Sequence, residues 1–272
     1  MARWNRALVT GASSGIGKAI AEQLADDGTA LVLVARDGDR LSALADRLPT
    51  ECEVLTADLA DPVALATVEA RITGLTNETS PVDLVVNNAG LGYLGPFHEL
   101  DVDRESAVMA VNVHAVHRLS HAAASALVAR GHGGGILNVS SMAAWLPMPN
   151  SATYAASKAF VNSMSESLRG ELEPHGVHVT ALCPGYTRTE FQDRAGFDSS
   201  QVPDVLWQTA TEVAAAGLTG VAANRAIVVP GTKNRIGAGL ISALPGPLRR
   251  LLLPKLADES LVSDPAAGSP RT

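Results

Sequence analysis

Thr10-Gly11-Ala12-Ser13-Ser14-Gly15-Ile16-Gly17 stands between a short apolar run, Ala7–Val9, and a stretch of helical periodicity from Lys18 to Ala25. Glycines at a strand-to-helix junction let the backbone turn tightly. They also let a pyrophosphate approach a helix N-terminus, where free N–H groups and the helix dipole favour anions. Two related motifs are excluded. A Walker A loop needs glycine at the position of Ala12 and Ser or Thr at that of Ala19. A GxGxxG fingerprint fails because Ile20 stands where Gly15-Ile16-Gly17 would require a small residue.

Outward from this turn, short β-branched runs alternate with longer helical stretches. The runs at 7–10, 30–35, 53–56, 84–87, 136–139, 177–182 and 226–229 read as strands, several of them apolar at consecutive positions. Helical periodicity falls at 18–25, 64–75, 104–130 and 155–172. Repeated β-then-α order predicts the α/β class: one doubly wound, Rossmann-like domain with a parallel sheet of about seven strands and helices on both faces. The expected organisation is one main domain over 1–231, with the glycine turn suited to a dinucleotide and a loop at 190–215. A C-terminal helical extension over 232–257 and a frayed tail over 258–272 follow.

Composition narrows the function classes. With 272 residues, 46% of them hydrophobic, the chain can bury a substantial core. A net charge of −7 argues against a general nucleic-acid binder. Cys52 and Cys183 are too few and too far apart for a disulfide scaffold or a CxxC metal site. His114, His117 and His121 share part of one helix face, but without an HExxH arrangement, so no metal is expected. No stretch has the apolar length of a membrane span, and the N-terminal basic residues lead straight into the first strand. A cytoplasmic protein is the expectation.

The spacing Gly-x3-Gly-x-Gly at Gly11, Gly15 and Gly17 resembles that of the short-chain dehydrogenase/reductase family in its compact single-domain branch. Further motifs follow in the family's order: Asp58-Leu59, Asn87-Asn88-Ala89-Gly90, Asn112, Ser141, Tyr154-x3-Lys158 and Pro184-Gly185-Tyr186-Thr187-Arg188-Thr189. The resemblance spans Thr10 to Thr189 and implies carbonyl/alcohol redox chemistry with a nicotinamide cofactor. It implies cofactor contacts from Gly11, Ser13, Ser14, Gly15, Ile16 and Gly17 at the first turn. Asp58 would accept from the adenine amino group, with Leu59 beside it, and Asn88, Ala89 and Gly90 would line the adenosine side. Pro184 and Gly185 would pass over the nicotinamide, with Thr187 and Thr189 holding its carboxamide.

Cofactor choice turns on charge at the end of the second strand, where an acid would bond the ribose hydroxyls of NAD(H) and an arginine would accommodate the phosphate of NADP(H). Ala35-Arg36-Asp37 favours NADP(H) through Arg36, with NAD(H) as the alternative. Asp37 either opposes the phosphate or caps the next helix. Tyr154 and Lys158 lie four apart on a predicted helix, hence on one face. The cation would favour the phenolate and lower a pKa that is ordinarily about 10. By resemblance Tyr154 is the acid/base, Lys158 also binds the nicotinamide ribose, and Ser141 rather than Ser140 bonds the substrate oxygen. Asn112 would hold a water in a proton relay.

The expected pocket wall, Leu91, Gly92, Tyr93, Met142, Ala143, Trp145, Leu146, Tyr186, Phe191 and Phe197, is mostly apolar, with Arg188 and Arg194 as its cations. An apolar ketone, aldehyde or secondary alcohol is therefore the expected small-molecule substrate. A 3-ketoacyl thioester is the rival within the enzyme class, and a non-catalytic NADP(H)-binding regulator is the rival outside it. The resemblance also implies a homodimer or homotetramer. Leucines and basic residues between 240 and 256 keep membrane contact open as a less favoured reading.

Overall fold

The computed structural model describes residues 3–74 and 80–243. In chain order its regular elements are β1 (Arg6–Thr10), α1 (Gly15–Asp26), β2 (Ala30–Ala35), α2 (Gly38–Ala45), β3 (Cys52–Thr56), α3 (Pro62–Thr73), β4 (Leu84–Asn87) and α4 (Val102–Met109). Then come α5 (Val116–Arg130), β5 (Gly134–Val139), α6 (Ala152–Leu172), β6 (Val177–Leu182), β7 (Thr187–Arg188), α7 (Phe191–Ala195), β8 (Gln208–Thr209), α8 (Ala210–Ala222), β9 (Ile227–Val228) and α9 (Thr232–Ala243). Seven strands form one sheet in the order β3-β2-β1-β4-β5-β6-β9, with every pairing parallel. The order reverses between β1 and β4, and such a switch point opens a crevice at the carboxyl ends of the strands. β7 and β8 pair separately.

Burial on both faces follows from the alternation of side chains along each strand. Ala7, Val9, Leu31 and Leu33 join the core under α1, α2 and α8, together with Ile20, Leu24, Leu41 and Val213. Their neighbours Leu8, Val32, Val34 and Val85 enter a second core with Leu65, Val68, Leu119 and Leu127 from α3 and α5. This partition explains why the strands read as continuous apolar runs.

Three expected boundaries change. The single helix expected over 104–130 is divided into α4 and α5 by a π-helical turn, Ala110–Ala115. The helix expected to run through 75 stops at Thr73, because Gly74 takes a left-handed conformation, φ 72°, that ends it. The substrate loop expected over 190–215 contains α7, two short 3₁₀ turns and β8, and its last residues already belong to α8. Of the expected C-terminal extension, α9 lies within the description. Positions 244–272, which include the proline-interrupted leucines and the tail, lie outside the described residues. Among the described residues no helix is long and apolar enough to cross a membrane.

Candidate active site

A cleft of about 960 Å³ opens at the switch point. Its floor begins with the turn after β1. Gly11 and Gly15 adopt φ of +65° and +55°, which side chains rarely tolerate. A β-carbon on Gly17 would lie 2.4 Å from the Gly11 carbonyl oxygen and 2.3 Å from Asn88 Nδ2. Gly17 is thus absent from the cleft wall and lets the turn close against the β4 end. Asn88 Nδ2 donates to the Thr10 carbonyl at 2.9 Å, and Thr10 Oγ1 accepts from the N–H groups of Asn88 and Ala89 at 2.9 and 3.0 Å. Thr10, not among the expected cofactor residues, couples the two glycine-bearing turns. Ser14 caps α1 in extended backbone without a side-chain bond to it, and Ser13, Ser14, Gly15 and Ile16 face the cleft. The helix amides there are placed to take an anion. This open cradle fits a dinucleotide pyrophosphate.

At the β2 end, Arg36 is exposed, lines the cleft and makes no ion pair among the described residues. Asp37 caps α2: its Oδ1 accepts from the Arg40 N–H at 3.0 Å, and its carboxylate lies 3.5 Å from the Arg40 guanidinium. Of the two readings of Asp37, the cap is the one this geometry displays. Arg40 also lines the cleft, and its Nη1 donates to Glu190 at 2.9 and 3.1 Å. Sequence reasoning missed Arg40 because its partner is 150 positions away. Asp58 accepts from the Ala60 N–H at 3.0 Å and faces the cleft with Leu59, Ala89 and Gly90.

The chemically capable groups meet where β5 and α6 approach the cleft. Lys158 Nζ sits 5.7 Å from the centre of the Tyr154 ring and donates to the Val139 carbonyl at 2.9 Å. Lys158 is only 4% exposed, and burial pushes its pKa down to about 8. Burial also raises the Tyr154 phenol above its ordinary value; a hydrogen bond with Ser141 acts in the opposite direction, and Cys183 adds a smaller upward push. The lowered phenol expected from the helical spacing is therefore not found: burial outweighs the Ser141 hydrogen bond, and Lys158, 5.7 Å from the ring centre, does not offset it. Ser140 is buried with its hydroxyl on the Lys158 carbonyl at 3.0 Å, while the Ser141 hydroxyl accepts from Ala143 N–H at 3.1 Å. Cys183, behind them, is driven up to about 12 by burial and stays a thiol.

Asn112 lies outside the cleft wall, fully buried in the π turn. Its Oδ1 accepts from Leu91 N–H at 2.9 Å, and its Nδ2 donates to the Leu91 carbonyl at 2.8 Å and Ser157 Oγ at 3.1 Å. The added residue of a π turn is a common device for aiming one side chain at a functional site. Here it fixes the segment after β4 to α6, and the side chain makes no hydrogen bond to Lys158.

Pro184, Gly185, Thr187 and Thr189 form the wall after β6. Of the expected substrate residues, Leu91, Gly92, Tyr93, Met142, Ala143, Leu146, Tyr186, Phe191 and Phe197 line the cleft, while Trp145 does not. A β-carbon on Gly92 would fall 2.9 Å from the Phe191 ring and 3.0 Å from that of Tyr154, so glycine lets these rings approach to 5.7 Å. Leu94, Met148 and Leu206 extend the apolar wall, and Lys233 brings a cation to it. Arg194 lines the cleft and pairs with Glu190. Arg188 is outside it, stacked on Trp207 at 5.1 Å and bonded to Asp204 at 2.5 Å. No group of three His, Cys, Asp or Glu side chains among the described residues is arranged to hold a metal ion.

A family model described as short chain dehydrogenase matches residues 5–198. Sulfoacetaldehyde reductase 2 of Chromohalobacter salexigens is 38% identical over 213 residues, which cover 76% of this chain and 82% of that protein. A short-chain dehydrogenase from Sphingobium yanoikuyae, solved in complex with NADPH, superposes with a TM-score of 0.77 at 36% identity, over 89% of this chain and 96% of the other. The bulky-bulky ketone specific alcohol dehydrogenase from Comamonas testosteroni gives a TM-score of 0.73 at 31% identity, over 89% and 95%.

Proposed function

The chain belongs to the short-chain dehydrogenase/reductase family, and from that premise we propose that it interconverts an apolar ketone or aldehyde and its alcohol with NADP(H), using Tyr154 as acid/base. The observation that carries this reading is one continuous cleft. It has Ser141, Tyr154 and Lys158 along its wall, Arg36 with no ion pair among the described residues at the β2 end, and an apolar lining on the substrate side.

Gly11, Ser13, Ser14, Gly15 and Ile16 would cradle the pyrophosphate, and Arg36 the added phosphate of NADP(H). Asp58, Leu59 and Asn88–Gly90 would hold the adenosine. Lys158, Pro184, Gly185, Thr187 and Thr189 would hold the nicotinamide end. The bound nicotinamide supplies or accepts a hydride. The Ser141 hydroxyl fixes the substrate oxygen by a hydrogen bond, and the Tyr154 phenol gives that oxygen a proton in reduction and takes it back in oxidation. Lys158, still mostly charged at neutral pH with a pKa of about 8, stabilises the phenolate that remains. Asn112 acts as a positioning residue through Leu91 and Ser157.

The apolar wall and the ketone-specific relative support a bulky, uncharged substrate. Lys233, which makes no ion pair among the described residues, favours a second reading: a small anionic aldehyde of the kind named for the Chromohalobacter relative. NADPH oxidation measured against aryl and alicyclic ketones and sulfoacetaldehyde separates the two by the ranking of kcat/KM. In the same assay Arg36→Ala is expected to weaken NADPH about tenfold or more, the worth of a charge-assisted phosphate contact, while leaving NADH unchanged. Equal use of both cofactors by the parent would overturn the NADP(H) assignment. Exposed apolar side chains on α4 and α6, Val102 and Phe160, support a homo-oligomer, and sedimentation as a monomer would remove that reading.

A further inference from the structure

Gln192 lines the cleft from the first turn of α7, and its side-chain amide is bonded at both its nitrogen and its oxygen there. Nε2 donates to the Thr187 carbonyl at 2.8 Å. Oε1 accepts from the Thr189 hydroxyl at 3.0 Å and from the Thr189 N–H at 3.3 Å. Thr187 and Thr189 are the residues assigned above to the nicotinamide carboxamide, and Gln192 meets them with the same chemical group, a primary amide. The Thr189 hydroxyl and N–H each have a single proton to give. Both go to Gln192 Oε1, so a carboxamide oxygen seated in the same orientation can accept from them only after the Gln192 oxygen has left.

We propose that the Gln192 amide is an internal occupant of the carboxamide subsite, displaced by rotation of its side chain when the dinucleotide binds. The inference rests on the nicotinamide reading of Thr187 and Thr189. The backbone that carries Gln192 is held on both sides. Glu190 is bonded to Arg40 of α2 and to Arg194, and the Ala195 carbonyl accepts from Leu94 N–H at 3.1 Å. Thr189 also packs over the first turn, its Cγ2 only 3.0 Å from where a Gly15 β-carbon would be. With the main chain so fastened, a side-chain rotation vacates the subsite without opening the segment. Gln192 thus acts as a built-in competitor whose hydrogen bonds the cofactor must replace.

The two roles open to Gln192 predict opposite signs. If it only staples the segment, its loss loosens the wall and weakens the cofactor. If it competes, its loss removes bonds that binding must break, and affinity rises. NADPH binding to the full chain is read by nicotinamide fluorescence for the parent, Gln192→Ala and the volume-preserving Gln192→Leu. Both variants are expected to bind about tenfold tighter, the net worth of one to two hydrogen bonds. 2′-Phospho-ADP-ribose, which lacks the carboxamide, is expected to bind all three proteins alike by calorimetry. Unchanged or weaker NADPH binding in both variants overturns the exchange. An equal gain for the fragment also overturns it, because the effect would then belong to the whole segment. A parent that binds the fragment and not NADPH contradicts the nicotinamide reading and removes this inference with it, whereas tight parental binding with unmoved variants removes the exchange alone.

Discussion

Tyr154→Phe is expected to lower kcat by about a thousandfold while leaving NADPH affinity within about twofold, within the range that a positioned acid/base contributes. The substitution removes one oxygen and keeps the ring. The ring packs against Phe191 at 5.7 Å and covers Gly92, so the apolar wall should survive. What disappears is the proton that must reach the substrate oxygen as the alcohol forms. Because burial holds the Tyr154 phenol above its ordinary pKa, the free protein keeps it protonated across neutral pH, the form needed for reduction. Oxidation needs the phenolate. The parent's reductive kcat/KM should therefore hold through neutral pH, while the oxidative rate rises toward alkaline pH. Parallel stopped-flow measurements of turnover and fluorescence titrations of NADPH test both halves. Wild-type turnover in the phenylalanine variant would remove Tyr154 from the chemistry, and lost NADPH binding would make its role structural.

How much of this was legible beforehand depends on the range of the interaction. Leu8 faces one core while Ala7 and Val9 face the other, so consecutive apolar residues announced a strand covered on both faces, and with it the parallel sheet. The glycine turn was legible for the same local reason: Gly11 and Gly15 must take positive φ where the strand enters the helix. Interactions that join distant segments were not. The break between α4 and α5 accompanies the bonds of Asn112 to Leu91, 21 positions earlier, which helical periodicity cannot register. Arg40 meets Glu190 only after the chain has folded, and Gln192 becomes informative only once its amide is seen on Thr187 and Thr189. Tyr154 illustrates the limit most clearly. Spacing revealed the cation on the same helix face; the desolvation that raises the phenol depends on everything packed around the ring.

Lys158 puts that desolvation to a quantitative test. Its pKa falls from an ordinary 10.5 to about 8 in the folded chain, so between these values the unfolded chain holds more protons and stability rises with pH. Below pH 8 both states are protonated and the folded protein carries the full cost of a buried cation, roughly 3 kcal/mol at 1.36 kcal/mol per pKa unit. Lys158→Met removes the titration while keeping most of the apolar stem, although it orphans the Val139 carbonyl that Nζ reaches at 2.9 Å. That lost bond shifts the variant by a constant. The pH-dependent part does not cancel. Denaturant unfolding of both proteins, freed of dinucleotide, is expected to show the parent gaining roughly 3 kcal/mol on the variant between pH 7.5 and 10.5. Parallel curves across that interval would mean that Lys158 is not desolvated as described. The same substitution is expected to reduce kcat about a hundredfold, because the phenolate of Tyr154 would lose its cation. A lysine that destabilises the fold at neutral pH and yet is needed for turnover is retained for chemistry rather than packing.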